Sequence, residues 1–253
     1  MEPQTLEALL LTLIAGLSTT IGSIIGIFFK RENAKFMSFT LGFTAGVMIG
    51  ISFFELIPKG FEEIGFIKTS IAFLIGFIFI FLIDFFIPHE YIGQKEKITD
   101  KTDKKLLRTG LFVALGIGIH NFPEGMATFY SSLSDIKLGI AIAVAIAIHN
   151  IPEGVAVSAP IYKATGNRGK AFLWSFLSGV AEPIGAILTA FILLPFMSPV
   201  ILGYILSGIA GLMVFISIDE LIPVSKSYGY SHLPILSFLV GMVIMILSLA
   251  LLK

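Results

Sequence analysis

The sequence predicts an all-α membrane protein with eight transmembrane helices arranged as inverted internal repeats, and three observations carry that prediction. Hydrophobic residues make up 56% of the chain and charged residues 13%, with a mean hydropathy of +0.95, far more apolar than an ordinary soluble domain. Eight apolar runs are each long enough to cross a hydrocarbon core about 30 Å thick. Short segments recur in near-copy, one or five spans apart, so that the copies cross the membrane in opposite senses.

The first span, Leu6–Phe29, is flanked by Glu2 and contains Glu7, with no basic start, so it reads as a retained helix and not as a cleaved signal. Ala34–Ile57 and Thr69–Ile87 follow as helices 2 and 3, and Thr109–Tyr130 and Leu138–Tyr162 form a central pair, helices 4 and 5. Lys170–Leu194, Pro199–Ile222 and His232–Leu252 complete the set, so helices 1–3 and 6–8 lie around the central 4–5 pair. Of the 17 Lys and Arg residues, 13 fall in or beside the first, third, fifth and seventh connections. The positive-inside rule makes that side cytoplasmic and leaves both termini extracytoplasmic. The one long hydrophilic connection, residues 88–108, contains GQKEKITDKTDKK and reads as a mobile cytoplasmic loop. Everything else is compact, so residues 1–253 read as a single domain.

Two duplications are strong. ALGIGIHNFPEGMA (114–127) and AVAIAIHNIPEGVA (143–156) agree at nine of fourteen positions, as do AGVMIGISFFELIP (45–58) and AGLMVFISIDELIP (210–223). A weaker third pair, starting at Gly16 and Gly179, agrees at five and aligns Thr19 with Glu182. Helices 1 and 2 therefore repeat as 6 and 7, and helix 4 as 5. Gly42, Gly46 and Gly50 share one face of helix 2, and Gly203, Ser207 and Gly211 one face of helix 7, a pattern that permits close helix contact.

The chemistry sits in the central copies. His and Glu four residues apart share a helical face, with Asn three residues before the same Glu beside them. His120, Asn121 and Glu124, then His149, Asn150 and Glu153, thus form two matching donor sets, and Glu182 adds a third carboxylate at mid-span. No Lys or Arg occurs inside helices 4, 5 or 6, so these acids need an outside positive charge. Imidazole, amide and carboxylate together suit a divalent transition metal, and the absence of Cys excludes thiolate ligands. Pro123 and Pro152 free the carbonyls of Ile119 and Ile148, and Gly125 and Gly154 admit neighbouring backbone. Three carboxylates carry −3, which one divalent ion reduces to −1 and two convert to +1.

In the inferred topology Glu55 ends helix 2 at the outer surface, while Asp219 and Glu220 end helix 7 at the inner one, with Asp84 and His89 nearby on that side. Acids therefore mark both mouths of a path through the central site. Zero net charge argues against nucleic-acid binding. An intramembrane metal-dependent hydrolase is the main rival reading, but HExxH is absent, Asn replacing the general-base Glu in both copies. A metal-sensing receptor is another, and its loops are too short for a folded signalling segment.

On the paired HNxPEG motifs and the match across all eight spans, the chain resembles the ZIP metal transporters, and among them the bacterial zinc-uptake branch. The resemblance implies uptake of Zn²⁺, or of Fe²⁺, Mn²⁺, Co²⁺ or Cd²⁺, into the cytoplasm across a prokaryotic inner membrane. It implies a binuclear site, with His120, Glu124, His149 and Glu153 at one metal position. Asn121, Glu124, Asn150, Glu153 and Glu182 serve the other, so Glu124 and Glu153 bridge. Asn150 stands where some relatives carry Asp, leaving one negative charge fewer. The metal is cargo, and no cofactor is implied. The acids at the inner mouth correspond to an exit relay. Homodimerisation and an elevator-like motion of helices 1, 4, 5 and 6 against 2, 3, 7 and 8 are also implied.

Overall fold

The structure, a computed structural model, describes residues 3–28, 34–86 and 100–252, and among these every regular element is helical. Helix α1 is Pro3–Phe28 and α2 is Ala34–Ile51, which continues through a π-helical turn, Ser52–Leu56, into α3, Ile57–Ile64. Next come α4 (Phe66–Phe86), α5 (Asp100–Ser134), α6 (Ile136–Thr165) and α7 (Arg168–Leu188). A π-helical turn, Thr189–Leu193, extends α7, and α8 (Pro199–Phe215) runs through a third such turn, Ile216–Leu221, into α9 (Ile222–Ser227); α10 is Leu233–Leu252. The side chain of Asn167 caps α7 by accepting from the Lys170 amide at 3.0 Å, and Ser198 caps α8 by accepting from Ile201 at 3.2 Å.

Seven of the helices are long and apolar enough to cross a membrane. The expected fourth span lies within α5 and is not among them, because His120, Asn121, Pro123 and Glu124 dilute its hydropathy. Helix α5 already includes Asp100, well before the expected Thr109, so the second part of the connection read as a loop is helical. Residues 88–99, the remainder of that connection, lie outside the described residues. The outer faces of α4 and α10 expose large apolar side chains such as Leu74, Ile75, Leu236 and Leu247, as suits a surface solvated by lipid.

Packing is reciprocal. Helix α2 lies against α10 and α8 against α4, whereas α1 lies against α6 and α7 against α5. Glycine makes the first pair of contacts possible: a Cβ on Gly46 would meet the Phe238 carbonyl of α10, and one on Gly211 the Phe73 carbonyl of α4. Buried Met48, Met213, Met245 and Phe215 fill the space between these helices. The second duplication reappears in the backbone, since each copy places a π-helical turn before Leu-Ile-Pro. Pro58 and Pro223 have no N–H to give to the carbonyls of Phe54 and Asp219, and each ring crowds that carbonyl, which favours a wider turn there.

These contacts predict that Gly46→Ala and Gly211→Ala each lower stability by roughly 1–3 kcal/mol, the usual cost of overpacking. Gly208→Ala, whose added Cβ would have only the Ala72 carbonyl at 3.8 Å, serves as the neutral control. Thermal melts of the detergent-solubilised variants decide it, and equal melting temperatures for all three would refute the close-approach account.

Candidate metal centre

Three helices supply the polar centre: α5 carries His120, Asn121 and Glu124, α6 carries His149, Asn150 and Glu153, and α7 carries Glu182. Each set of three shares a face because 3.6 residues per turn brings positions four apart into line. Proline lies inside all three helices, at Pro123, Pro152 and Pro183, one residue after or before an acid of the centre. Gly125 and Gly154 bring the neighbours close. A Cβ on Gly125 would meet the Glu182 carbonyl, and one on Gly154 the Thr19 carbonyl of α1.

All seven side chains are buried, six of them completely and Glu124 to 4% exposure. Their pairing crosses between helices. His120 Nε2 lies 3.1 Å from Glu153 Oε1, and His149 Nε2 lies 3.5 Å from Glu124 Oε2. The two copies of the motif thus exchange partners, each imidazole meeting the carboxylate of the other copy. The amides are anchored outward: Asn121 Nδ2 donates to the Ser178 carbonyl at 3.0 Å, and Asn150 Nδ2 donates to the Ala15 carbonyl at 3.0 Å and to Glu182 Oε2 at 2.8 Å. Asn150 therefore ties the third carboxylate into the group.

What the protein leaves undone is as informative. His120 Nδ1, His149 Nδ1, Asn121 Oδ1, Asn150 Oδ1, Glu124 Oε2, Glu153 Oε2 and Glu182 Oε1 are buried without a hydrogen-bond partner. A buried unsatisfied polar atom costs about 1–3 kcal/mol, so a cluster of them needs something besides protein to complete it. Among the described residues, no Lys or Arg forms an ion pair with the three carboxylates. Nitrogen and oxygen donors with spare lone pairs and excess negative charge fit a divalent transition-metal ion. Among the described residues, no group of three or more His, Asp or Glu side chains is gathered tightly enough to hold such an ion as it stands. The donors hold one another in pairs, so an arriving ion has to exchange His–Glu contacts for ligand bonds.

The other candidate residues lie on different helices. Glu55 sits half-buried in the π-helical turn after α2, and Asp219 and Glu220 sit in the matching turn after α8, Glu220 exposed to only 8%. Asp84 belongs to the last turns of α4, and His89 lies outside the described residues. Two contacts of the centre, and several buried hydroxyls elsewhere in these helices, left no signal in the sequence. The Ala15 and Ser178 carbonyls that hold the two Asn side chains are backbone atoms. Thr19, Ser23, Thr128 and Ser158 are fully buried hydroxyls on α1, α5 and α6 without partners; only Thr19, the repeat counterpart of Glu182, was traceable through the duplication.

Known proteins share this chain's sequence. Residues 88–249 match the family described as ZIP Zinc transporter. The chain is 50% identical over 266 residues to the Zinc transporter ZupT of Chlorobium chlorochromatii, the alignment covering 99% of each chain. It is 48% identical over 262 residues to that of Streptococcus mutans, covering 99% of each, and 48% over 268 residues to that of Lysinibacillus sphaericus, covering 100% of each.

The hydrogen bonds predict an order of stabilities in the absence of metal. Asn150→Ala removes two donors and strands both the Ala15 carbonyl and Glu182, so it should cost more than Asn121→Ala, which removes one, by about 1–3 kcal/mol. Melting temperatures in the presence of a chelator test this, and the reverse order would show that Asn150 does not anchor Glu182.

Proposed function

The chain belongs to the ZIP zinc transporter family, and from that membership we propose that it carries divalent transition-metal ions, zinc foremost, into the cytoplasm through the His–Asn–Glu centre. It is a transporter and not an enzyme, and it is a multi-pass membrane protein. The observation that carries the reading is the set of buried donor atoms without partners on α5, α6 and α7, beside three carboxylates with which, among the described residues, no Lys or Arg pairs. An ion-transport site in lipid requires this combination, because charge at that depth is tolerated only with a counter-ion or a wet path.

In this reading one metal position uses His120, Glu124, His149 and Glu153, and the other uses Asn121, Glu124, Asn150, Glu153 and Glu182. Shared Glu124 and Glu153 let an ion pass between positions without losing all its ligands. Imidazole nitrogens favour zinc and its transition-metal neighbours over magnesium or calcium, which prefer oxygen alone. Glu55 guides ions at the outer mouth, and Asp84, His89, Asp219 and Glu220 receive them at the inner one. Both termini are outside the cell, residues 1–253 act as one domain, and the protein works in a prokaryotic inner membrane, with a homodimer as its assembly.

Reciprocal packing supports an inverted-repeat architecture: if α1 and α2 correspond to α7 and α8, and α4 to α10, then the α2–α10 and α8–α4 contacts are the same contact seen twice. The α1–α6 and α7–α5 contacts pair in the same way. Helices α1, α5, α6 and α7 form one closely packed group, and α2, α4, α8 and α10 pack largely among themselves. That division supports an elevator-like motion of the first group, carrying the metal, past the second.

Purified protein in proteoliposomes should take up radiolabelled Zn²⁺ saturably, with Cd²⁺ and Fe²⁺ competing more strongly than Mg²⁺. Glu124→Ala and Glu153→Ala should each abolish uptake while preserving membrane insertion, and His149→Ala should be milder, lowering affinity by about tenfold or less. Undiminished transport by either Glu variant would remove the bridging roles, and no uptake by the unaltered protein would sink the transport reading.

A further inference from the structure

Next to the metal centre, α4, α5 and the end of α8 enclose a cavity of about 20 Å³. A single water needs about 10–15 Å³ measured this way, so the space has room for one water and not for a hydrated ion. Its walls include Ile80 of α4, Val113, Gly116 and Ile119 of α5, and Phe215 of α8, and among the described residues Glu220 is the one charged residue on its lining. Gly116 and His120 are four apart on α5, so the cavity wall and the imidazole share a helical face about 6 Å apart along the axis. Glu220, on the opposite wall, belongs to the inner-mouth turn. The cavity thus lies between the centre and an acid of the inner mouth.

Gly116 differs from the glycines that pack the bundle. A Cβ built there meets nothing within 4 Å, whereas on Gly46, Gly125, Gly154 or Gly211 it would meet backbone. Helix packing does not require a glycine at position 116, yet its bareness provides the open side of the cavity. An apolar neck of this width excludes a divalent ion, because stripping the hydration shell without replacing it by ligands is prohibitively costly, which is how hydrophobic constrictions close ion paths.

We propose that this cavity is the inner barrier of the metal route, closed in the present conformation, and that Gly116 sets its width. The proposal rests on the uptake reading and its orientation. Metal leaving His120 and Glu153 reaches Glu220 only when α5 shifts against α4 and α8 and the neck widens enough to hydrate. The bare backbone at Gly116 is what allows that hydration.

Gly116→Leu, which fills the open side, tests it beside Gly116→Ala, with Ile80→Ser to wet the opposite wall. Equilibrium zinc binding in detergent should stay within about twofold of the unaltered protein for all three, while proteoliposome uptake falls about tenfold or more in Gly116→Leu, falls less in Gly116→Ala, and rises in Ile80→Ser. Uptake by Gly116→Leu at the unaltered rate would make the cavity a packing void off the route. Should Gly116→Leu not fold, Gly116→Cys gives a second readout, since the chain has no other cysteine. A charged methanethiosulfonate applied from the cytoplasmic side should label it about tenfold faster during zinc transport than in chelator, and equal rates would overturn the barrier. Failure of the unaltered protein to transport zinc would instead strike the uptake reading, a distinct result.

Discussion

Uncompensated negative charge buried among apolar helices is the constraint around which this molecule is organised. Glu124, Glu153 and Glu182 lie at the centre of the bundle, and among the described residues no Lys or Arg pairs with them. The two imidazoles and two amides that surround them satisfy part of the demand. His120 and His149 each reach the carboxylate of the opposite helix, and Asn150 holds Glu182. What is left over, lone pairs and charge, is what a metal cargo would complete in the proposed function.

The surrounding fold serves that centre. Proline within α5, α6 and α7 leaves carbonyls without a helical N–H partner where the donors sit. Glycine beside each acid lets α7 and α1 press against the motif helices, so the donors of separate helices come within contact distance. Such packing would be unstable if the polar groups were spread along the helices. Concentrated in one layer, they cost least, because each can be shared.

Duplication has left two kinds of trace, one chemical and one mechanical. The HNxPEG copies give the centre its matched donors. The copies ending in Leu-Ile-Pro give two π-helical turns, each carrying an acid at the same register, Glu55 in one and Glu220 in the other. A widened turn re-aims the side chains that follow it without interrupting the helix, and such turns are common at functional sites. In the proposed mechanism the two turns mark the two mouths, and the apolar neck beside Gly116 separates one of them from the centre.

Hydropathy and spacing alone disclosed the membrane class, seven of the spans by their apolar length, and the seven polar side chains that lie buried in α5, α6 and α7, because burial in lipid and helical periodicity are written directly into residue order. The central span in α5 was legible by its duplicated motif even though the polar residues lower its hydropathy. The helicity of α5 from Asp100 onward was not, since GQKEKITDKTDKK has no apolar face to announce it. Which imidazole meets which carboxylate, that Asn150 rather than Asn121 holds Glu182, and that a bare glycine opens onto a small apolar cavity were decided only by tertiary structure. Those relations depend on the rotation and depth of one helix against another, which are set by packing between segments far apart in the chain and leave no mark on the spacing within either.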